Sequence, residues 1–172
     1  MRIKDKNFFL QTALEGAPAL LGKLICRKTD NGTTKLRITE TECYMGEEDK
    51  ACHASKGKTP RTSVLYSEGG VYYVYLIYGI HNLLNVVFGQ EGVPQAVLIR
   101  CCEGHEGPGK LTRRLGITRN FNKSNALTSD ELWLEDDGFL VEYETKPRVG
   151  IDYAGEYWRD IPWRFVLNQR YL

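Results

Sequence analysis

Long apolar runs are missing from this sequence, because no segment approaches the ~20 apolar residues that a helix needs to cross a bilayer. The first residues, MRIKDKNFF, also lack the apolar region of a secretory signal peptide. These absences predict a soluble protein that does not enter a membrane. We expect it inside the cell, in the cytoplasm or nucleoid, or in a nucleus.

A large net charge is missing as well. The 23 lysines and arginines nearly balance the 22 aspartates and glutamates, for a net charge of +1. Binding to nucleic acid would therefore need a local basic patch. Apolar residues are 42% and charged residues 26% of the chain, an ordinary globular composition that argues against disorder. With 172 residues the chain can bury a sufficient core, and we expect one domain spanning residues 1–172.

The cysteines are odd in number, five in all, and include no CxxC pair. We therefore expect reduced thiols rather than a disulfide framework. A metal site combining Cys52, His53 and a later cysteine would match no zinc-binding spacing. The sequence thus predicts neither a metal nor another cofactor.

Common catalytic signatures are absent too: the chain has no GxGxxG, no P-loop, no HExxH and no GxSxG. What remains for chemistry is a set of carboxylates, an arginine, several tyrosines and a basic cluster.

The pattern of apolar residues predicts short helices and strands that are mostly joined by hairpins. Helices are expected within Phe8–Leu21, with Thr12 as a cap and Pro18 as a break or first-turn residue, and at Lys110–Leu115. The acidic stretch Ser129–Asp137 is expected to be turn-like. Strands are expected at Lys23–Lys28, Lys35–Tyr44, Val71–Ile77, Leu83–Phe88, Ala96–Cys102, Tyr143–Gly150 and Trp163–Leu167. The predicted fold class is α+β, with one mixed domain around a mostly antiparallel, barrel-like curved sheet and short flanking helices.

The stretch Leu36–Arg61 is the strongest candidate for a site. Strand alternation puts Glu40, Glu42 and Tyr44 on one face, which is unusual for a core strand because a buried charge needs a partner. The loop that follows supplies an imidazole, His53, and several cations. A carboxylate and a phenol facing such a loop form a plausible catalytic or binding site.

An ordered series of motifs carries a family resemblance. The chain is similar, nearly end to end, to the alkyladenine DNA glycosylases, also called 3-methyladenine or methylpurine DNA glycosylases. This resemblance implies a fold like the C-terminal domain of formyltransferases that act on tRNA. The matching stretches are Ala17–Lys23, Arg37–Tyr44, Thr59–Arg61, Tyr73–Gly79, Val97–Arg100, Gly107–Leu111 and Arg148–Glu156.

The resemblance implies a monomeric enzyme of base excision repair. Such an enzyme flips a damaged purine out of double-stranded DNA and hydrolyses its glycosidic bond, leaving an abasic site. The implied substrates are alkylated or deaminated purines of the class of 3-methyladenine, 7-methylguanine, hypoxanthine and ethenoadenine. Glu42 matches the general base that activates water, and Arg100 matches the arginine that helps to position this water. No lysine occupies a position suited to Schiff-base chemistry, which favours a monofunctional hydrolase.

The resemblance also implies a pocket for the flipped base. Tyr44 and His53 would lie on its two faces, and Tyr75 would close the edge of the pocket. Backbone groups of Ala51 and His53 would recognise the edge of the purine. Asn85 matches the residue that disfavours guanine by crowding its exocyclic amine.

Contacts to the rest of the DNA are implied as well. Tyr78, at a predicted hairpin tip, matches the side chain that enters the minor groove and fills the gap left by the flipped nucleotide. Lys110, Arg61, Arg113 and Arg114 are expected to contact phosphates, which would make DNA affinity depend on salt.

Two departures from the family pattern concern the DNA side. Only six residues, CCEGHE, separate Arg100 from Gly107, where relatives usually have a longer segment, so DNA affinity or footprint is expected to be reduced. His81 stands where a larger aromatic residue is common beside the minor-groove tyrosine. A third feature, Cys52 next to the pocket backbone, suggests sensitivity to oxidation.

Other interpretations remain open from the sequence. Glu42 could be a structural partner of Arg100, and Tyr78 could be an ordinary turn residue. The chain could then be a catalytically weak or inactive module that binds lesions or nucleic acid. A hydrolase of free nucleosides is another alternative, but it would leave Tyr78 and the basic cluster without a role.

Overall fold

The computed structural model describes residues 1–168. Within this range the chain forms four α-helices and nine β-strands. The helices are α1 (Asn7–Leu10), α2 (Ala13–Leu20), α3 (Pro108–Leu115) and α4 (Glu156–Asp160). The strands are β1 (Leu24–Thr29), β2 (Gly32–Tyr44), β3 (Tyr72–Ile77), β4 (His81–Val87), β5 (Ala96–Cys102), β6 (His105–Glu106), β7 (Leu132–Glu135), β8 (Tyr143–Lys146) and β9 (Arg164–Leu167).

All nine strands belong to one antiparallel sheet. Its main order is β3-β4-β5-β2-β1-β7, while β9 also pairs with β2, β8 with β9 and β6 with β5. The sheet curves without closing. This arrangement confirms the predicted α+β class with a mostly antiparallel, curved sheet. No helix among residues 1–168 has the length and apolarity of a membrane span.

Two sequence predictions about strands are wrong in detail. The acidic stretch predicted as turn-like contains β7, in which Leu132 and Leu134 are buried while Trp133 and Glu135 are only half-buried. Charged flanks obscure this short alternation in the sequence. The predicted strand beginning at Tyr143 ends at Lys146, because Pro147 has no N–H to donate to a strand ladder.

The helix α2 begins as the sequence predicts. The Thr12 hydroxyl accepts a hydrogen bond from the Glu15 N–H, and the Glu15 carboxylate accepts from the Thr12 N–H, which forms a capping box. Pro18 neither breaks this helix nor lies in its first turn, since it sits inside the helix two residues before its end. At Gly16 any Cβ would lie 2.3 Å from a ring carbon of Phe88, so glycine lets α2 pack closely against the sheet.

Strand β2 contributes to both sides of the sheet. Ile38 and Cys43 are fully buried in the main core, which also contains residues of α1, α2 and α3. In a regular strand an even-numbered residue and an odd-numbered residue face opposite sides, yet Ile38 and Cys43 face the same core. This is possible because the register of β2 against β5 shifts on either side of Glu40. The residues that face the core are therefore even-numbered before the shift and odd-numbered after it. Glu40, Glu42 and Tyr44 consequently share the opposite face.

A fully buried ion pair joins the loop after β2 to the segment before α4. The Arg148 guanidinium donates hydrogen bonds of 2.6 and 2.9 Å to the two carboxylate oxygens of Asp49, and neither side chain is exposed. A further bond of 3.0 Å reaches the carbonyl of Cys43. The guanidinium lies 4.8 Å from the ring centroid of Tyr44 and 5.1 Å from that of Trp163. Arg148 thus ties β2, its following loop and the last part of the fold together.

We predict that Arg148→Met lowers the free energy of unfolding by about 3–5 kcal/mol, because Asp49 would remain buried without its partner. Urea denaturation followed by circular dichroism measures the loss. Arg159→Met is the matched control, since Arg159 pairs with Asp160 at the surface and that pair should contribute little. Equal stabilities for the two variants would contradict a structural role for the buried pair.

Candidate active site

A cavity of about 850 Å³ opens on the sheet face opposite the main core. Its floor comes from β2, β3, β4 and β5, and its walls come from residues 50–62, the start of α3 and residues 149–153. The volume lies in the usual range for small-molecule sites. The residues of the sequence prediction that line it are Glu42, Tyr44, Ala51, His53, Arg61, Tyr75, Tyr78, Asn85, Arg100 and Lys110.

Glu42 is the buried carboxylate of this cavity, with an exposure of 0%. One oxygen accepts a hydrogen bond of 2.9 Å from the Val149 N–H, and the other accepts one of 2.7 Å from the Tyr44 hydroxyl. Burial raises the pKa of Glu42, although the Val149 N–H, the Tyr44 hydroxyl and the positive charge of Arg100 act in the opposite direction. The side chain is therefore a stronger base than an ordinary carboxylate. Val149 lies in the matching stretch Arg148–Glu156, but its role was not predicted, because its contribution comes from the backbone.

Arg100 lies between two carboxylates and is closer to Glu40. Its Nε is 2.7 Å from Glu40 Oε1 but 3.7 Å from Glu42 Oε1. Glu40 Oε1 also accepts a hydrogen bond of 3.0 Å from Arg164 Nη1. Arg100 therefore pairs with both carboxylates, and Glu40 is the closer partner while Glu42 is the more distant one. In the sequence, only the strand face that Glu40 shares with Glu42 pointed to Glu40.

His53 is held by aromatic neighbours. Its Nδ1 is 2.9 Å from the Tyr73 hydroxyl, and its ring makes an edge contact with Tyr75 at 4.6 Å between centroids. Burial, together with the charges of Arg61 and Lys56, lowers the pKa of His53 to about 4. The imidazole is therefore neutral near pH 7. Arg61 lies 5.6 Å from the centroid of Tyr75, so this predicted phosphate-binding residue also packs on the aromatic wall.

Ala51 and Asn85 are both buried at the cavity. The Ala51 N–H donates to Asp49 over 3.0 Å, while its carbonyl accepts a hydrogen bond of 3.1 Å from the Tyr153 hydroxyl. Ala51 has two backbone groups that were predicted to recognise a base. Its N–H is engaged by Asp49, while its carbonyl accepts one hydrogen bond among the described residues and has the capacity for a second. The Asn85 amide donates to the Tyr73 carbonyl over 3.2 Å, which fixes its orientation. Tyr153 is a lining residue that the sequence analysis missed.

Tyr78 occupies the tip of the β3–β4 hairpin, as predicted, and is 84% exposed. Its φ of +52° and the φ of +69° at Gly79 both lie in the left-handed region, as in the tight turns that suit hairpins. This conformation costs a non-glycine residue roughly 1–2 kcal/mol. Because Tyr78 is strained and exposed at the mouth of the cavity, a functional role explains it better than a role in packing.

The predicted phosphate-binding cations divide into two groups. Arg61 and Lys110 border the cavity, whereas Arg113 and Arg114 line a separate groove of about 360 Å³ beside the β1–β2 turn. Lys110 follows Gly109, at which a Cβ would lie 2.9 Å from His81 Nδ1. The smaller ring of His81 is therefore packed under the first turn of α3.

Lysines border the cavity although none contacts the carboxylate. Lys50 and Lys56 are exposed and, like Lys110, lie among the lining residues. Among the described residues, the side chains that bond or pair with Glu42 are those of Tyr44 and Arg100.

The cysteines are all free and buried in the structure. Cys52 is 3% exposed, and burial raises the pKa of its thiol. Because oxidation requires an accessible thiolate, this environment argues against the predicted sensitivity. No three His, Cys, Asp or Glu side chains within residues 1–168 form a group that could hold a metal ion.

Comparison with known proteins identifies the family. A sequence model described as methylpurine-DNA glycosylase matches residues 7–107 and 103–171, so the two segments meet in the short connection before α3. The chain belongs to the methylpurine-DNA glycosylase family. In the structure this connection is a tight return in which β6 pairs with the end of β5.

Similar proteins cover almost the whole chain. One from Methanocella arvoryzae is 43% identical over 96% of this chain and 92% of its own length, and one from Bacillus subtilis is 43% identical over 98% of both. A third, from Borreliella burgdorferi, is 44% identical over 95% of both. Each of these relatives carries the name "Putative 3-methyladenine DNA glycosylase".

The raised pKa of Glu42 leads to a stability prediction. The folded state holds this proton more tightly than the unfolded state, so wild type loses stability as pH rises above the ordinary carboxylate value of 4.5. Glu42→Gln cannot lose a proton there. We therefore expect the difference in melting temperature, Glu42→Gln minus wild type, to become more positive as the pH rises from mildly acidic to mildly alkaline.

Thermal denaturation across this pH range measures the difference. Glu144→Gln, on the exposed strand β8, is the control and should stay at a constant offset from wild type. A Glu42→Gln offset that is independent of pH would show that burial does not perturb this carboxyl group.

Proposed function

We propose that this protein is a monofunctional DNA glycosylase of base excision repair, with one catalytic domain over residues 1–172 that acts as a monomer. It flips alkylated or deaminated purines of the 3-methyladenine, 7-methylguanine, hypoxanthine and ethenoadenine class out of double-stranded DNA. A water activated by Glu42 then hydrolyses the N-glycosidic bond and leaves an abasic site. The membership of the family and the geometry of the cavity support this proposal.

The observation that carries the proposal is the buried Glu42 at the floor of a cavity large enough for a purine. Each of its oxygens accepts one hydrogen bond from the protein and keeps capacity for a second. A water held there by Glu42, with help from Arg100, would lose a proton to the carboxylate as it attacks the anomeric carbon. This role requires ionised Glu42, and a raised pKa makes that ionised form more basic.

The aromatic side chains Tyr44, His53 and Tyr75 suit the binding of a flipped base. Stacking of a base on such rings is worth about 1–3 kcal/mol. Because His53 is neutral near pH 7, it does not repel a purine that alkylation has made cationic. Asn85, fixed by its bond to the Tyr73 carbonyl, is available to crowd the exocyclic amine of guanine.

The rim supplies the features that a duplex requires. Tyr78 projects from the hairpin tip and would enter the minor groove to replace the flipped nucleotide. Arg61 and Lys110, at the border of the cavity, would contact phosphates, and Arg113 and Arg114 would extend this contact along the duplex. Free nucleosides would use neither feature.

We predict that Glu42→Gln lowers the single-turnover rate of base release by about 10²–10⁴-fold, the usual contribution of a positioned general base. Duplex oligonucleotides with one hypoxanthine or ethenoadenine, together with alkylated DNA, are suitable substrates. Binding of the same duplexes should persist, and Glu144→Gln should match wild type. If wild type binds lesions but releases no base, the protein is a binding module. The short connection between Arg100 and Gly107 would then be the first feature to lengthen toward that of its relatives.

Tyr78→Ala is predicted to slow base release from duplex DNA by at least tenfold, because unstacking a nucleotide costs a few kcal/mol and nothing would fill the gap. Release from a single-stranded oligonucleotide should change much less. Tyr143→Ala, at an exposed tyrosine of β8, is the matched control and should leave both rates unchanged. Equal rates for wild type and Tyr78→Ala on the duplex would assign Tyr78 to the turn alone.

A further inference from the structure

Glu40 has no role in the function proposed above, yet it is the nearest carboxylate to Arg100. Its side chain is 13% exposed, so its charge needs partners, and among residues 1–168 two arginines pair with it. Arg100 Nε approaches Glu40 Oε1 to 2.7 Å, and Arg164 Nη1 approaches the same oxygen to 3.0 Å. The other oxygen lies 3.5 Å from the Cys101 thiol, which also accepts the Gly107 N–H. Glu40 is therefore anchored from two strands.

The pairing of β2 with β5 aims Arg100 at this carboxylate. Glu40 is opposite Cys101 and Thr41 is opposite Ile99, so Arg100 is an extra residue of β5 without a partner in the β2 register. Bulges of this kind re-aim a side chain and are common next to active sites. Here the extra residue brings the guanidinium closer to Glu40 than to Glu42.

The distance between Arg100 and Glu42 affects how many hydrogen bonds Glu42 can still accept as a general base. At 3.7 Å from Glu42 Oε1, the guanidinium supplies positive charge without a close pair. Movement by about 1 Å would form a charge-assisted hydrogen bond, which is typically 2.7–2.9 Å long. That bond would use the remaining lone pair of Oε1, since the other lone pair already accepts the Val149 N–H.

We infer that Glu40 is a positioning residue that holds Arg100 away from a close pair with Glu42 and so keeps an acceptor of Glu42 free for water. The inference rests on the proposed function, because it concerns the environment of the same base. Within residues 1–168, the other titratable or charged groups that act on Glu42 are Tyr44, Tyr75, Tyr153 and Arg100. None of these replaces the anchoring that Glu40 gives to Arg100.

The test is the pH dependence of single-turnover base release by Glu40→Gln, on the lesion that wild type releases fastest. Without the Glu40 charge, Arg100 can approach Glu42, and a neighbouring negative charge disappears. Both changes favour ionised Glu42, so the acidic limb of the profile should move to lower pH. The plateau rate should fall by about 10–100-fold, as when a partner that orients a functional group is lost.

Glu40→Asp keeps a carboxylate at a greater distance from Arg100 and should recover part of the plateau rate. Glu144→Gln controls for the general loss of a negative charge and should leave the profile unchanged. If Glu40→Gln does not fold, as judged by circular dichroism, Glu40→Asp decides alone, with a shift of the acidic limb to lower pH expected. An acidic limb at the wild-type pH in the folded variant overturns the inference.

Failure of the proposed function gives a different result. In that case wild type itself releases no base, or Glu42→Gln remains as active as wild type. The inference about Glu40 fails by itself when wild type is active, Glu42→Gln is inactive, and either the plateau rate or the acidic limb of the folded Glu40 variant stays at the wild-type value.

Discussion

The buried pair of Asp49 and Arg148 controls much of the site without lining it. Two ionised groups with no exposed side-chain surface are costly unless they are well bonded. Here Nη1 and Nη2 of the guanidinium bond both carboxylate oxygens and a backbone carbonyl, while its buried Nε has no hydrogen-bond partner among the described residues. Its plane lies near the Tyr44 ring, which forms one wall of the cavity. The next residue in the chain, Val149, donates its N–H to Glu42. A single ion pair therefore sets the position of an aromatic wall and of a donor to the proposed base.

Burial of a carboxylate such as Glu42 lowers the stability of the folded protein but makes the ionised carboxylate a stronger base. Desolvation raises its pKa, so the ionised form that a base requires is disfavoured in the folded state. The hydrogen bonds from the Val149 N–H and the Tyr44 hydroxyl offset part of that cost, and the more distant charge of Arg100 offsets a smaller part. Cores rarely retain such a group unless it is used, which agrees with the activity expected of the family.

Charge is distributed unevenly around the cavity. Apart from Glu42 and Arg100, neutral aromatic rings and the uncharged His53 form the interior of the cavity, while Arg61, Lys110 and other cations lie at its border. An interior of this kind accepts a flat base, neutral or cationic, and a cationic rim attracts phosphates. With a net charge of only +1, the whole chain supplies little long-range attraction, so this local arrangement has to provide it.

The sequence by itself determined the features that depend on local patterns. Alternation in β2 put Glu42 and Tyr44 on one face, a glycine turn put Tyr78 at a hairpin tip, and the ordered motifs carried the family resemblance. Local spacing was sufficient because strand periodicity and turn chemistry are short-range effects.

Only the tertiary structure decided which distant groups meet. Asp49 and Arg148 are 99 positions apart, and either could have been a surface charge. The choice of Glu40 over Glu42 as the close partner of Arg100 follows from a shift in strand register that the alternation of side chains does not reveal. Packing of distant segments fixes such contacts, because their free energy depends on burial and on competing partners that a linear pattern does not contain.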